Sequence, residues 1–446
     1  MQLNAYPLLF DRADGWMRSG RVAAVFDGTL VVRIPGLSEG LLVEIERANG
    51  ATLIAECYSV DASGARCRPL SGVEDVTVGA RATSVSARLG SFVGPQLLGK
   101  CVDAWGRASD SGHPLVADAA KTRLALGARA AVDRPLRTGV SALDTFSTLA
   151  YGQRLALLAG SGIGKSSLLR RIAADADVDV RVIALIGERG REAAEAEAHL
   201  RDSPQRRTTT LVSAAANASA VERFSAAQTA AAQAEFFAAQ GARVLLLLDS
   251  LTRVANAWRE LALGAGETAA HRGYPASLVG KLAQLVERAG RYERGSITAV
   301  YAVLVDGDDT SEPVSDAVRA LVDGHVVLSR RLADAGRHPA VDVLRSLSRT
   351  MHAVATPQHQ LAAAAVRRAI DTLERAEDLF ALGAYQRGAD AWLDACVAER
   401  PSIERLMWDS ESRVDEPVAE LAAIAQRLAR LAAGARDTQV QSNVLA

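Results

Sequence analysis

Between residues 20 and 90 the apolar positions come in short bursts rich in β-branched side chains. The runs Arg21-Val22-Ala23-Ala24-Val25-Phe26 and Thr29-Leu30-Val31-Val32-Arg33-Ile34 are separated by Asp27-Gly28, and Pro35-Gly36 closes the second. Asp-Gly supplies the torsions of a tight hairpin, and closely spaced strands of this kind predict a small β-barrel. From about 150 to 330 the rhythm changes to apolar strands followed by helical segments. The strands are Arg154 to Leu158, Arg181 to Ile186, Val244 to Leu248 and Ser296 to Val305. That alternation predicts a mainly parallel sheet covered by helices. The Ala-rich stretch from Ala214 to Gln240 carries Val221, Phe224, Phe236 and Phe237 and stops at Gly241. It reads as a helix with a glycine C-cap rather than as low complexity. After Thr356-Pro357 the pattern is helical to the end, with Val418, Leu421, Ala425 and Leu428 at spacings of three and four. The expected division is an interacting or flexible segment over 1–19, a barrel over 20–90, an α/β core over 91–350 and a helical domain over 351–446.

The chain has 446 residues, enough for two or three domains. Its 51 Lys and Arg nearly balance 52 Asp and Glu, so no overall basic field points to nucleic acid or an anionic membrane. Cys57, Cys67, Cys101 and Cys396 form no CxxC pair, which argues against a disulfide framework or a zinc site and for a reducing compartment. The first residues lack a basic region followed by a long apolar run, and no apolar stretch of about 18 residues occurs. These features predict a cytoplasmic, soluble protein.

The sharpest chemical signal is Ala159-Gly160-Ser161-Gly162-Ile163-Gly164-Lys165-Ser166, set between a strand and the helical Ser167-Leu168-Leu169-Arg170-Arg171. This is a Walker A loop. A phosphate tail needs inward-turned backbone N–H groups, which small residues and glycine torsions permit, while the following helix adds its positive end. Lys165 should reach the β- and γ-phosphates of ATP, and Ser166 should coordinate Mg²⁺. Ala159 replaces the first glycine of the strict motif. A chance Gly-rich turn is a poor alternative, because strand, loop, GKS and helix coincide. Val244 to Leu248 ends in Asp249, the form of a Walker B strand whose carboxylate holds the Mg²⁺ shell. Alone, such an aspartate is usually structural; after a Walker A loop the functional reading wins.

Hydrolysis also needs a group that activates water. Gly187-Glu188-Arg189-Gly190-Arg191-Glu192 follows the strand ending at Ile186, so it should emerge at the same sheet edge as the P-loop. Glu188 is the candidate base and Arg189 a γ-phosphate contact. A solvated charge run on a loop is the competing reading.

Several blocks together resemble the ATPases of type III protein export, flagellar and injectisome, which are similar to the catalytic subunit of rotary ATP synthases. They are Arg137-Thr138-Gly139-Val140, AGSGIGKSS at 159–167, GERGRE at 187–192, LLLLDSLTR at 245–253, RGYP at 272–275, GSITAVYAVLVDGDD at 295–309 and DGHVVLSRRLA at 323–333. The likeness covers roughly residues 20 to 400. It implies an α/β fold with a RecA-like P-loop core, an N-terminal β-barrel and a C-terminal α-helical domain. It further implies a homo-oligomer, a hexameric ring with nucleotide between neighbours, and Glu188 as catalytic glutamate. Arg349, in Ser346-Leu347-Ser348-Arg349, becomes by the same resemblance an arginine finger sent into the adjacent subunit. Export substrates with their chaperones, and stalk and regulator proteins at the inner-membrane export apparatus, are the implied partners, with membrane contact only through them.

Two positions depart from that pattern. His338 stands where relatives commonly carry an aromatic that packs on adenine, and Arg387 stands where a proline is common. Tyr385 either flanks the base or is a core tyrosine. The blocks 311–319, 340–344 and GAYQRGAD favour the injectisome branch, whereas AGSGIGKS and Ile45-Glu46-Arg47 favour the flagellar one; the lean is to the injectisome. The rivals are a rotary synthase-type catalytic subunit, a nucleic-acid motor and a non-catalytic nucleotide scaffold. The motor should bear exposed aromatics among Lys and Arg in its first domain, where 20–90 offers only Phe26 and Tyr58. Glu188 with Lys165 argues against the scaffold.

Overall fold

The computed structural model describes residues 18–26, 29–88, 91–108, 128–305, 312–408 and 414–444. The Asp27-Gly28 turn, residues 1–17 and 306–311 lie outside them. The chain divides into two units, one of Met1–Ala130, Val178–Val303 and Ser311–Leu321, the other of Ala131–Asp177, Leu304–Thr310 and Val322–Ala446.

The first unit opens with a closed six-stranded barrel. Its strands, Ser19–Phe26, Thr29–Arg33, Leu41–Glu46, Thr52–Asp61, Gly64–Pro69 and Arg81–Arg88, follow one another around the wall in the order first, second, fifth, fourth, third, sixth. The first two pair antiparallel, with Phe26 opposite Thr29, as a tight hairpin requires. Alternation places Val22, Leu30, Val32, Val43, Ile45, Leu53, Ala55, Cys57, Ala65 and Cys67 inside. Tyr58 lies under the Arg68 guanidinium, 4.8 Å from ring centroid to Cζ, while Phe26 is exposed.

The same unit holds a parallel sheet in the order Cys101–Val102, Thr209–Ala215, Val180–Glu188, Arg243–Asp249, Ser296–Leu304. Its central strands read as unbroken apolar runs because both faces are covered; Val244 to Leu248 are all buried. The strand Thr209–Ala215 was not expected, and its last two residues, Ala214 and Ala215, had been assigned to the Ala-rich helix. Alanine's own propensity is for helix, which draws Ala214 and Ala215 toward the Ala-rich segment in the sequence, whereas in the structure they continue the strand begun by the β-branched Thr209, Thr210 and Val212, and the boundary is set elsewhere. Ser219 accepts from the Glu222 N–H while the Glu222 carboxylate accepts from the Ser219 N–H, a reciprocal cap that starts the helix Ala220–Ala239. At the far end Gly241 adopts φ 95°, in keeping with a glycine stop. The alanines have a packing reason: Ala226, Ala227, Ala230, Ala231 and Ala234 are fully buried where the helix lies on the sheet strands.

In the second unit the strand Arg154–Ala159 runs parallel to Gly324–Leu328, which pairs antiparallel with Val341–Ser348. Three long helices, Pro357–Arg375, Ala391–Trp408 and Pro417–Val444, pack on one another. The buried seam of the last is Leu421, Ile424, Leu428 and Ala432; Val418, expected in that seam, sits on its flank at 38% exposure, and Ala425 is half-buried. Two residues of Pro357–Arg375 reach the short helix Ser141–Phe146. His359 Nε2 meets the Thr145 carbonyl at 2.8 Å, and the Arg367 guanidinium donates to the Phe146 carbonyl. They satisfy carbonyls that a helix C-terminus leaves open. At the start of that helix Asp144 accepts from the Thr138 N–H and hydroxyl and from the Gly139 N–H, and burial pushes its carboxyl above the usual range despite those donors. Among the described residues no helix is long and apolar enough to cross a membrane.

Ala230→Leu should drive a branched side chain into the helix–sheet contact and lower stability by about 1–3 kcal/mol, read as a shift in urea midpoint. Cys57, Cys67 and Cys396 are buried, and burial pushes the Cys396 thiol up to about 12, whereas Cys101 is partly accessible. A thiol reagent should therefore label Cys101 fast in native protein and the other three only after denaturation.

Candidate active site

The Walker loop follows the buried strand Arg154–Ala159 and opens into the helix Lys165–Asp175. Gly162 and Gly164 have φ of 79° and 93°, a left-handed backbone that L side chains rarely adopt. These torsions curl the chain so that successive N–H groups gather ahead of the helix N-terminus, the geometry of an anion nest. Ile163 is buried and pins the loop from beneath, while Ser161, Gly162, Ser166 and Ser167 are exposed. Lys165 is 9% exposed at the first helical position. The site has a lip on the same unit: a Cβ placed on Gly164 would lie 3.8 Å from His338 Nδ1. His338 thus stands beside the loop, exposed, in a turn whose His338–Pro339 peptide is cis.

Tyr385, also in this unit, is half-buried. Its hydroxyl donates to Asp394 Oδ1 at 2.6 Å and its ring meets Phe380 edge-on, with centroids 5.3 Å apart. The Asp394 carboxylate holds the phenol above its usual pKa. Its hydroxyl is occupied within its own loop, leaving the rest of the ring for any contact with a ligand. Arg349 follows the strand Val341–Ser348. Its N–H donates to the Asp323 carbonyl at 2.9 Å, and its exposed guanidinium meets no hydrogen-bond or ion-pair partner among the described residues.

The carboxylates belong to the other unit. Val180–Glu188 and Arg243–Asp249 are neighbouring parallel strands with Leu185 opposite Asp249, so both acidic residues arrive at one edge of the sheet. Glu188 and Asp249 are 6% and 3% exposed. An ionised carboxylate is held at such depth only with partners. Glu188 has one in Arg253, whose Nη2 is 3.1 Å from Glu188 Oε2. Arg253 comes from the helix Leu251–Gly264 that leaves the Asp249 strand, so strand and helix together aim an acid and its counter-ion. Arg189 caps the helix Gly190–Asp202 and is exposed, its side chain without a polar partner among the described residues.

Lys165, Ser166 and His338 therefore gather in one unit, and Glu188, Arg189 and Asp249 in the other. Two functional candidates escaped the sequence reading. Arg253 lies four residues after Asp249 inside a motif block, but nothing in the spacing says that it pairs with Glu188. Arg330, far along the chain, donates from Nη2 to the Ser161 carbonyl of the loop at 3.1 Å. No group of three His, Cys, Asp or Glu side chains among the described residues is placed to hold a metal ion by itself. The exposed Ser166 hydroxyl and the buried Asp249 carboxylate are hard oxygen donors of the kind that suits Mg²⁺, which keeps most of its shell in water and phosphate.

Residues 139–348 match the ATP synthase alpha/beta family nucleotide-binding domain, and residues 355–428 match the T3SS EscN ATPase C-terminal domain. The chain is 43% identical to the flagellum-specific ATP synthase of Treponema pallidum, over 87% of this chain and 88% of the relative. It is 41% identical to the type 3 secretion system ATPase of Pseudomonas syringae pv. syringae, over 87% and 89%. Relatives of the two branches stand equally near, so the lean toward the injectisome finds no support in them. Among solved structures, the assembled ATPase EscN of the enteropathogenic E. coli type III secretion system superposes with TM-score 0.81 at 34% identity, covering 91% of this chain and all of that one. The barrel, the nucleotide-binding domain and the helical C-terminal region thus occur together in proteins of one kind, and the chain belongs to the family of type III secretion and flagellar export ATPases.

Proposed function

We propose that the chain hydrolyses MgATP in a homo-oligomeric ring, a hexamer, and uses the energy to load export substrates and release their chaperones. The observation that carries this reading is the loop of Gly162 and Gly164 in left-handed torsions leading into the buried Lys165. In the proposed mechanism the loop N–H groups and Lys165 hold the phosphate tail, with His338 and Tyr385 beside the base. Ser166 and Asp249 are the oxygens that would hold Mg²⁺, which when bound neutralises phosphate charge. Glu188 polarises the attacking water, Arg253 keeps its carboxylate aimed, and Arg189 contacts the γ-phosphate. What supports joining the two sets of residues on one nucleotide is the family match, which runs through both units at 139–348.

Arg349 would act in the neighbouring subunit, stabilising charge on the transferring phosphoryl group. Its exposed guanidinium, unengaged among the described residues, favours that role. The assembled EscN, solved also with its central stalk EscO, supports a ring and a stalk partner here. The C-terminal match at 355–428 favours export over a rotary synthase subunit. A cytoplasmic place at the inner-membrane export apparatus, reached through partners, follows from the same reading, as does the functional division at 19/20, 90/91 and 350/351.

ATP hydrolysis measured against protein concentration should rise more steeply than linearly, and Glu188→Gln and Arg349→Ala should each lose about 10²-fold or more. Linear activity indifferent to Arg349 would exclude shared sites. Arg253→Met should lower kcat by about tenfold or more, with partial recovery in Arg253→Lys, because the Glu188 carboxylate loses the guanidinium that aims it.

A further inference from the structure

Arg330 and Arg331 open the same short helix, Arg330–Asp334, yet are used differently. Arg331 is held by Glu374 at 2.7 Å and Glu377 at 3.3 Å. Arg330 has no carboxylate among the described residues; its polar contact is the Ser161 carbonyl, 3.1 Å from Nη2. A guanidinium that forgoes an ion pair to bond one neutral carbonyl is doing so at a particular place, the tip of the phosphate loop. A second observation marks the same contact. A Cβ built on Gly160 would stand 3.0 Å from Arg330 Nη2, with its next neighbours at ordinary distances, 3.6 Å or more. A side chain at Gly160 would press on the end of the Arg330 side chain, which would have to give by a few tenths of an ångström to keep its hold on the loop.

The peptide joining Ser161 to Gly162 is planar and trans, so its C=O and N–H point in opposite directions. Fixing the carbonyl outward against Arg330 therefore fixes the Gly162 N–H inward. We propose that Arg330 is a positioning residue that presets the phosphate-binding loop by clasping the Ser161 carbonyl. The inference rests on the reading of the loop as the nucleotide site. Glycine torsions leave the Ser161–Gly162 peptide free to rotate, and an anion nest binds well only when its N–H groups already converge. The clasp removes that freedom from outside the pocket, where the guanidinium does not compete for the phosphate.

The test is MgATP and MgADP affinity by titration calorimetry, with steady-state kinetics, for wild type, Arg330→Ala, Arg330→Lys, Gly160→Ala and the double variant Gly160→Ala/Arg330→Ala. Arg330→Ala should weaken both nucleotides by about threefold to tenfold, the range of one hydrogen bond, while kcat at saturating ATP changes less than about twofold. Arg330→Lys should recover part of the affinity. Gly160→Ala should weaken binding by no more than Arg330→Ala does, and the double variant should be no worse than Arg330→Ala alone, because both act on the same contact. Unchanged affinity in Arg330→Ala, a fall in kcat with affinity intact, or additive losses in the double variant would each overturn the inference. Wild-type protein that binds no MgATP would overturn the nucleotide-site reading itself, which separates the two failures.

Discussion

Parallel strand pairing is the constraint on which the chemistry depends. Strands that run the same way must all end at the same edge, so whatever residue follows the last apolar position is delivered to one line. Val180–Glu188 and Arg243–Asp249 obey this with two carboxylates on adjacent strands, both buried. The apolar runs that make the strands hydrophobic on both faces also lower the local dielectric around their ends. A carboxylate there needs a defined counter-ion, and the helix leaving the Asp249 strand brings Arg253 to Glu188. Burial and aim come from the same elements.

Much of this was legible because the chemistry forces particular residues into particular order. A phosphate loop needs glycines at fixed offsets from a lysine and a helix, and Gly162, Gly164 and Lys165 declare it locally. The barrel was legible because β-branched runs such as 21–26 and 29–34 follow one another closely around turn residues. The strand Thr209–Ala215 was not, since alanine fits the pattern of the strand that ends there and of the helix that follows. The true boundary lay in the pair Ser219 and Glu222, a capping signal hidden in an Ala-rich composition. Arg330 was beyond local reading altogether, because its partner is 169 residues away and is a backbone carbonyl, which leaves no trace in side-chain pattern. His338 was singled out as a departure, and its ring stands by Gly164.

Arginine recurs in these arrangements for a physical reason. Its planar fork offers several donors at once and stays charged in half-buried settings, so it can serve carbonyls as well as carboxylates. Arg367 on the Phe146 carbonyl, Arg330 on the Ser161 carbonyl and Arg253 on Glu188 use that property three ways. Arg337 adds a fourth. It lies 4.4 Å from the Trp408 ring centroid and bonds Glu404, so the turn that carries His338 is tethered to the helix Ala391–Trp408.

The bonds from His359 and Arg367 to the carbonyls of Thr145 and Phe146 bear on how such chains are recombined. A chimaera that exchanged only the helical C-terminal region with a relative would leave that helix end facing foreign side chains. Arg137 reaches across the same junction to the Asp415 carbonyl through Nη2. The unit of inheritance is discontinuous: the helices after residue 356 and the segment from about 135 to 150 form one exchangeable piece, although two hundred residues of chain separate them.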